Sequence, residues 1–184
     1  SLAVVCYVLS LFTLVAYHIP LLTVVAQNVD GALNWVLLFG GIMVLLLVLN
    51  FMFYYLLLYL GRIVGKCILA LLFVGNAISL YFINTYKVLI DEGMMGNVFN
   101  TQYSEASSYF SLSAVLYVLF LGILPCVYLF TRRFDYGSIK RFFVTIAVSL
   151  GMILLIVVGN MRNVLWIDHN ATQIGSLLMP WSYT

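Results

Sequence analysis

The sequence is poor in charged residues, and this shortage decides its class. Only 8% of the 184 residues are charged, whereas 65% are hydrophobic. A soluble globular domain carries about a quarter charged residues, so the composition excludes a soluble fold and indicates an integral membrane protein. The net charge of +2 is small, and the chain has no basic run with interleaved aromatic residues. Nucleic acid is therefore excluded as a partner.

Residues that could bind a metal or act as nucleophiles are also scarce. Six acidic residues and two histidines are scattered along the chain, and the three cysteines lie far apart in apolar runs. A catalytic metal needs several carboxylate, imidazole or thiolate ligands that converge on one point. Neither a serine-hydrolase elbow nor a phosphate-binding glycine loop occurs. We therefore predict no catalytic residue, no metal ligand and no cofactor in this chain.

Five apolar stretches lie between the charged residues, and each is long enough to cross a membrane. About 20 apolar residues span the hydrocarbon, and a charge at its centre is costly. Pro20 lies beside His18 and should kink the first span, and we expect His18 to bond to a neighbouring helix rather than to relay protons. The predicted spans run from Leu2 to Val25, Leu33 to Leu60, Ile68 to Tyr86, Leu112 to Phe130 and Phe142 to Met161.

The basic residues give the orientation of these spans. Because basic loops stay in the cytoplasm, the polar segment 87–111 and the tail 162–184 should be periplasmic. Gly61 and Gly65 form a small-xxx-small pair, which is a weak packing signal because Arg62 lies between them. Six of the eight basic residues lie between spans two and three or between spans four and five: Arg62, Lys66, Arg132, Arg133, Lys140 and Arg141.

The predicted fold is an all-α integral membrane protein. Residues 1–161 form a transmembrane domain of five helices, with a periplasmic amphipathic helical segment, 87–111, between helices 3 and 4. Residues 162–184 mix polar and apolar side chains, including two tryptophans, and are suited to lying at the membrane surface. They form a periplasmic tail.

The segment from Tyr81 to Phe110 is the long polar interruption in the interior of the chain. Within it, Asn97, Thr101 and Glu105 are spaced by four residues, so a helix would place them on one face. The spacing alone fits the solvated face of an interfacial helix, whose apolar face would comprise Met94, Met95, Val98 and Phe99.

Several short motifs carry a resemblance to a known family. They are Tyr81-Phe82, Tyr86, Ile90-Asp91, Met94-Met95, Asn97, Thr101, Ser104-Glu105-Ala106, Gly122-Ile123-Leu124-Pro125 and Pro180. Together they resemble the membrane domain of the bacterial lipid A phosphoethanolamine transferases, the family that includes the mobile colistin-resistance enzymes. The resemblance covers residues 74–184 well, and before Val74 it is little more than hydropathy.

The resemblance implies a substrate, a site and a location. Asn97, Thr101 and Glu105 would bind the phosphoethanolamine group of the donor lipid, phosphatidylethanolamine. A threonine nucleophile in a zinc-dependent periplasmic domain, absent from this sequence, would pass that group to lipid A or another periplasmic glycolipid. The tail 162–184 would begin the linker to that domain, so this chain alone should be inactive. The protein would be a multi-pass protein of the bacterial inner membrane with a periplasmic C-terminus.

The tail departs from the family pattern in a way that concerns anionic groups. Many members have an Arg-Asn-Asn-Lys-like stretch eleven residues before the proline, where this chain has His169, Asn170, Ala171 and Thr172. Lys87 and Arg162 are therefore candidates for phosphate or lipid contacts in place of the two missing cations.

A small helical transporter or channel-like protein is the alternative from another class. Span three carries Asn76, Ser79, Asn84 and Thr85, which could line a path, although we expect them chiefly to tie this span to the bundle. A transporter would more often show inverted repeats or broken helices at mid-bilayer, and spans one and two do not resemble spans four and five in polar placement.

Overall fold

The computed structural model describes residues 1–28, 32–86 and 112–161, and every element in these ranges is helical. This confirms the all-α class. A π-helical segment, Val118–Ile123, joins α4 to α5. The helices are α1 (Leu2–Tyr17), α2 (Ile19–Asn28), α3 (Ala32–Tyr86), α4 (Leu112–Tyr117), α5 (Leu124–Thr131) and α6 (Ile139–Gly159).

Three helical stretches in the described residues are long and apolar enough to cross a membrane: Val36–Thr85, Leu112–Thr131 and Ile139–Gly159. The first has 50 residues, more than twice the length of about 20 that one crossing requires. Arg62 interrupts it with non-helical dihedrals, φ 43° and ψ −108°. Residues 32–61 and 63–86 are therefore two arms of α3.

The two arms fold back on each other at Arg62. The rings of Tyr54, in the first arm, and Phe73, in the second, lie 5.9 Å apart between their centroids. A Cβ atom on Gly65 would collide with the backbone carbonyl of Leu57. The close approach predicted weakly from the Gly61 and Gly65 pair thus occurs at Gly65, where the absent side chain lets the backbones meet.

The helix boundaries differ from the predicted spans at the start of the second arm of α3, which begins five residues before the predicted Ile68, and at the start of α6. This helix begins at Ile139, three residues before the predicted Phe142, because the Ser138 hydroxyl caps it by accepting a hydrogen bond from the Arg141 N–H at 3.4 Å. The prediction ended each span at a charge. A helix can nevertheless continue through charged residues at the membrane surface, where long basic side chains reach water.

The predicted interruption beside Pro20 is confirmed, because α1 ends at Tyr17 and α2 begins at Ile19. His18 lies at the break and is fully buried. Its Nδ1 is 3.1 Å from the carbonyl oxygen of Thr13, in the last turns of the same helix. This contact lies within α1, and the bond to a neighbouring helix stays a prediction.

The core lies between α1 and the two arms of α3. The Thr13 hydroxyl shares a hydrogen bond of 2.7 Å with the Tyr54 hydroxyl, and the rings of Tyr17 and Phe73 stack with centroids 6.4 Å apart. Lipid tails are as apolar as leucine, so such packing and hydrogen bonds, rather than a hydrophobic driving force, hold the helices together. The three cysteines are free, and Cys67 is exposed.

Candidate functional site

The residues predicted to contact substrate, Lys87, Asn97, Thr101, Glu105 and Arg162, lie outside the described residues. The helices that border the segment 87–111 are described. The second arm of α3 ends at Tyr86, and α4 begins at Leu112. These two helix ends therefore flank the segment of the sequence that contains Asn97, Thr101 and Glu105.

A polar contact and an aromatic contact hold the two helix ends together. The side-chain amide of Asn84 donates a hydrogen bond to the Tyr117 hydroxyl at 3.1 Å. The rings of Tyr81 and Tyr117 meet edge to face with centroids 5.7 Å apart. The expectation that Asn84 ties span three to the bundle is confirmed, whereas the Ser79 hydroxyl donates to the Gly75 carbonyl of its own helix. Tyr86 and Leu112, the described residues on either side of 87–111, thus lie at the same end of the bundle.

An apolar groove lies between α3 on one side and α4 with the π-helical segment on the other. It has a volume of about 320 Å³, and among its described lining residues the Tyr81 hydroxyl is the one polar side-chain group. Ile78, Val115 and Leu119 are substantially exposed along it. The lining residues are Ile78, Tyr81 and Phe82 of α3, Ala114 and Val115 of α4, and Val118, Leu119 and Ile123 of the π-helical segment.

The π-helical segment has a chemical cause in Pro125. The Leu124 N–H bonds to the Leu119 carbonyl five residues earlier, as in a π-helix. Pro125 has no N–H, so it cannot bond to the carbonyl of Leu121, four residues before it. A carbonyl without a donor is costly inside a membrane. The Tyr17 hydroxyl of α1 donates a hydrogen bond to this carbonyl and so replaces the missing donor.

Gly122 sets how closely the π-helical segment approaches α3. A Cβ atom on Gly122 would lie 3.3 Å from the Val74 Cα and 3.6 Å from the Ala77 Cβ. Glycine therefore lets the two backbones touch at this level. The groove lies beside this contact, where larger side chains hold the helices apart. Neither the groove nor the π-helical segment was predicted from the sequence, although Pro125 inside a span was a usable signal.

The opposite end of the bundle gathers the basic loops. The Lys66 ammonium donates to the Arg132 carbonyl at 3.1 Å and lies 4.2 Å from the centre of the Phe134 ring. The Arg62 guanidinium lies 5.4 Å from the centre of the Tyr136 ring. The Leu2 N–H donates to the Asp135 carbonyl at 3.1 Å. The two basic loops and the N-terminus of α1 therefore meet at the same end.

The described part of the chain contains no group of three or more His, Cys, Asp or Glu side chains that could hold a metal ion. A zinc centre needs three or four such ligands. The side chains in these ranges therefore do not fit a zinc site.

Comparison with known proteins decides the family. The family model for phosphoethanolamine transferase EptA/EptB matches residues 45–184. The chain belongs to the phosphoethanolamine transferase EptA/EptB family. This confirms the resemblance carried by the motifs between Tyr81 and Pro180. It also extends the match toward the N-terminus, from Val74 to residue 45, where the sequence alone showed only hydropathy.

Individual members of the EptA/EptB family and their relatives show how much of a whole protein the chain represents. It is 31% identical over 109 residues to the phosphoethanolamine transferase EptA of Helicobacter pylori, covering 59% of this chain and 21% of that protein. It is 31% identical over 103 residues to the phosphatidylethanolamine transferase Mcr-1 of Escherichia coli, covering 53% and 19%. The chain thus spans about a fifth of the length of these curated relatives.

A solved structure supports the fold. The lipooligosaccharide phosphoethanolamine transferase A (EptA) from Neisseria meningitidis, an integral membrane protein, matches with a TM-score of 0.82 at 17% sequence identity. The match covers 98% of this chain and 34% of that protein. At this identity the match shows the shared fold, and the fold is that of a membrane domain.

Proposed function

We propose that this chain binds the donor lipid, phosphatidylethanolamine, as the membrane domain of a phosphoethanolamine transferase. The match of the family model to residues 45–184 carries this proposal, and it favours the transferase over a transporter or channel. In the full-length enzyme the domain anchors a periplasmic zinc-dependent domain. That domain transfers phosphoethanolamine through a threonine nucleophile to lipid A or a related glycolipid.

The donor headgroup binds on the segment 87–111 in this proposal. The Glu105 carboxylate pairs with the ethanolamine ammonium, and the Asn97 amide and Thr101 hydroxyl bind the phosphate ester. Lys87 and Arg162 supply positive charge for the phosphate. The joined ends of α3 and α4 support this arrangement, because they hold both ends of the segment at one end of the bundle.

The domain crosses the inner membrane five times in this proposal, with the segment 87–111 and the C-terminus in the periplasm. The meeting of the basic loops at one end, through the contact of Lys66 with Arg132, supports this orientation. Crossings by α1 with α2, by the two arms of α3, by α4 with α5 and by α6 would give the five spans.

The substitution Glu105→Gln tests the headgroup site, because it keeps the size of the side chain and removes its charge. A charge-assisted hydrogen bond contributes about 1.5–3 kcal/mol, so phosphoethanolamine transfer by the full-length enzyme should fall roughly ten- to a hundredfold. The measurement is the amount of phosphoethanolamine added to lipid A in cells, at matched expression.

Ser107→Ala is the control, since Ser107 lies off the proposed helical face, and transfer should change little. Near-normal transfer by both Glu105→Gln and Asn97→Ala would leave the segment as the solvated face of an interfacial helix and refute the site.

A further inference from the structure

One wall of the apolar groove extends over a length close to that of one membrane leaflet. From Ala114 to Ile123 is nine residues, or roughly 13 Å along a helix, and half of the hydrocarbon thickness is about 15 Å. Its upper end lies beside the departure points of the segment 87–111, because Ala114 is two residues from Leu112 and Phe82 is four residues from Tyr86. It therefore runs from the proposed headgroup site toward the bilayer centre.

We propose that this groove holds one acyl chain of the donor glycerophospholipid while its phosphoethanolamine group lies on the segment 87–111. The proposal deepens the proposed function and rests on it. The described lining residues carry no charge, so this part of the groove fits hydrocarbon rather than a headgroup or a sugar. The groove adjoins the contact between the two helix ends, because Tyr81 lines the groove and its ring meets that of Tyr117.

The groove acts by shape and position. Lipid tails are as apolar as leucine, so a groove in a membrane gains little from hydrophobicity alone. An acyl chain held between the second arm of α3 and the π-helical segment would instead limit where the headgroup of the same lipid can lie. The wide π-helical turn, held by Tyr17 and fitted against α3 by Gly122, gives the groove a fixed wall. π-Helical turns are frequent at functional sites.

Photolabelling with a modified lipid tests the proposal on this chain in nanodiscs. The probe is a phosphatidylethanolamine with a diazirine in the middle of one acyl chain, and mass spectrometry locates the adducts. Adducts on residues 78–82 and 114–123 should exceed those on the exposed residues 150–158 of α6 by about three- to tenfold, the modest preference expected of a shape-based site.

A matched pair of substitutions sharpens the test. Ala114→Phe fills the groove and should reduce groove labelling by roughly threefold or more, whereas Ala147→Phe, on the exposed face of α6, should leave it unchanged. The same variants in the full-length enzyme should show the same order in transfer rate. Equal labelling of the groove and α6, or no effect of Ala114→Phe, would overturn the proposal.

Two further outcomes separate this proposal from the headgroup site. A phosphatidylglycerol probe with the same acyl chain should label the groove less, and equal labelling would overturn the assignment of the groove to the donor. A benzoylphenylalanine at Val115 that cross-links to residues 87–111 would also overturn it, because a segment of the protein itself would then fill the groove. Unchanged transfer in Glu105→Gln would refute the headgroup site while leaving the labelling pattern intact.

Discussion

The two ends of the bundle are built in different ways. At the basic end, cations lie against aromatic rings and backbone carbonyls, as Lys66 does with Phe134 and Arg132, and Ser138 caps the next helix. At the other end, the neutral bond between Asn84 and Tyr117 joins two helices beside an apolar groove. The basic end brings the two basic loops and the N-terminus of α1 together, and the other end carries the apolar groove. In the proposed function, lipid binding would therefore lie at the end opposite the basic loops.

Cysteine labelling would test the comparison most directly, because its outcome is all or none. Single cysteines at Gln102 and Ser176 should react with an impermeant reagent added to the periplasmic side, and one at Gly137 should not. Gly137 lies in the described basic end, and the other two positions lie in the predicted periplasmic segments. Labelling of Gly137 in intact cells would reverse the two ends and remove the basis of the headgroup site.

Gly65→Ala should destabilise the bundle more than loss of the Tyr17 hydroxyl or of the Lys66 ammonium. The new methyl group would collide with the Leu57 carbonyl where the two arms of α3 meet, and we expect a loss of about 2 kcal/mol or more in the free energy of unfolding. Thermal unfolding in detergent measures it. Gly75→Ala is the matched control: no atom lies within 4 Å of its Cβ position, so higher helix propensity should stabilise it by about 0.5–1 kcal/mol. Equal changes in the free energy of unfolding for Gly65→Ala and Gly75→Ala would contradict the close contact of the two arms at Gly65.

Tyr17→Phe should have an intermediate effect, near the groove wall. It removes the donor to the Leu121 carbonyl, and we expect a loss of about 1–2 kcal/mol. Tyr7→Phe, at an exposed position on the same helix, is the control and should change little. Pro125→Ala returns an N–H to the helix, so Tyr17→Phe should cost less in that background. If Tyr17→Phe lowers the free energy of unfolding equally with and without Pro125→Ala, the Tyr17 hydroxyl does not compensate for the proline.

Lys66→Ala should have the smallest effect. An exposed cation over an aromatic ring contributes about 0.5–1 kcal/mol, so removing the ammonium from Phe134 should lower stability by about that amount. Arg133→Ala, at an exposed position beside Phe134 in the loop between α5 and α6, serves as the control. A loss of several kcal/mol, measured by the same unfolding assay, would mean that the basic end carries more of the stability than its contacts imply.

Hydropathy and charge predicted much of this fold. The gaps between charges located the stretches that became α4 with α5, α6 and the two arms of α3, because a charge in the hydrocarbon is costly at any position. Hydropathy could not show that a single residue, Arg62, makes the turn between the arms, since dihedral angles depend on local packing. The boundary at Ile139 was displaced because capping by Ser138 is local chemistry.

The candidate site was less predictable than the fold. Spacing placed Asn97, Thr101 and Glu105 on one face, but only family resemblance gave them a ligand, and they remain predictions. The groove arises from side chains of α3, α4 and the π-helical segment, which Gly122 lets approach α3 closely. Pro125 marked the disturbed helix in the sequence. Its partner Tyr17 could not be found there, because the bonded residues are 104 positions apart.

The bond between Tyr17 and Leu121 links two positions that are far apart in the sequence, Tyr17 and Pro125. Pro125 leaves the acceptor and Tyr17 supplies the donor, so the benefit of each residue depends on the other. In family members that carry an ordinary residue at the position of Pro125, we expect the tyrosine to be lost freely. In those that keep the proline, a lineage that loses the hydroxyl should acquire another donor from a neighbouring helix. Natural selection would therefore act on these positions as a pair.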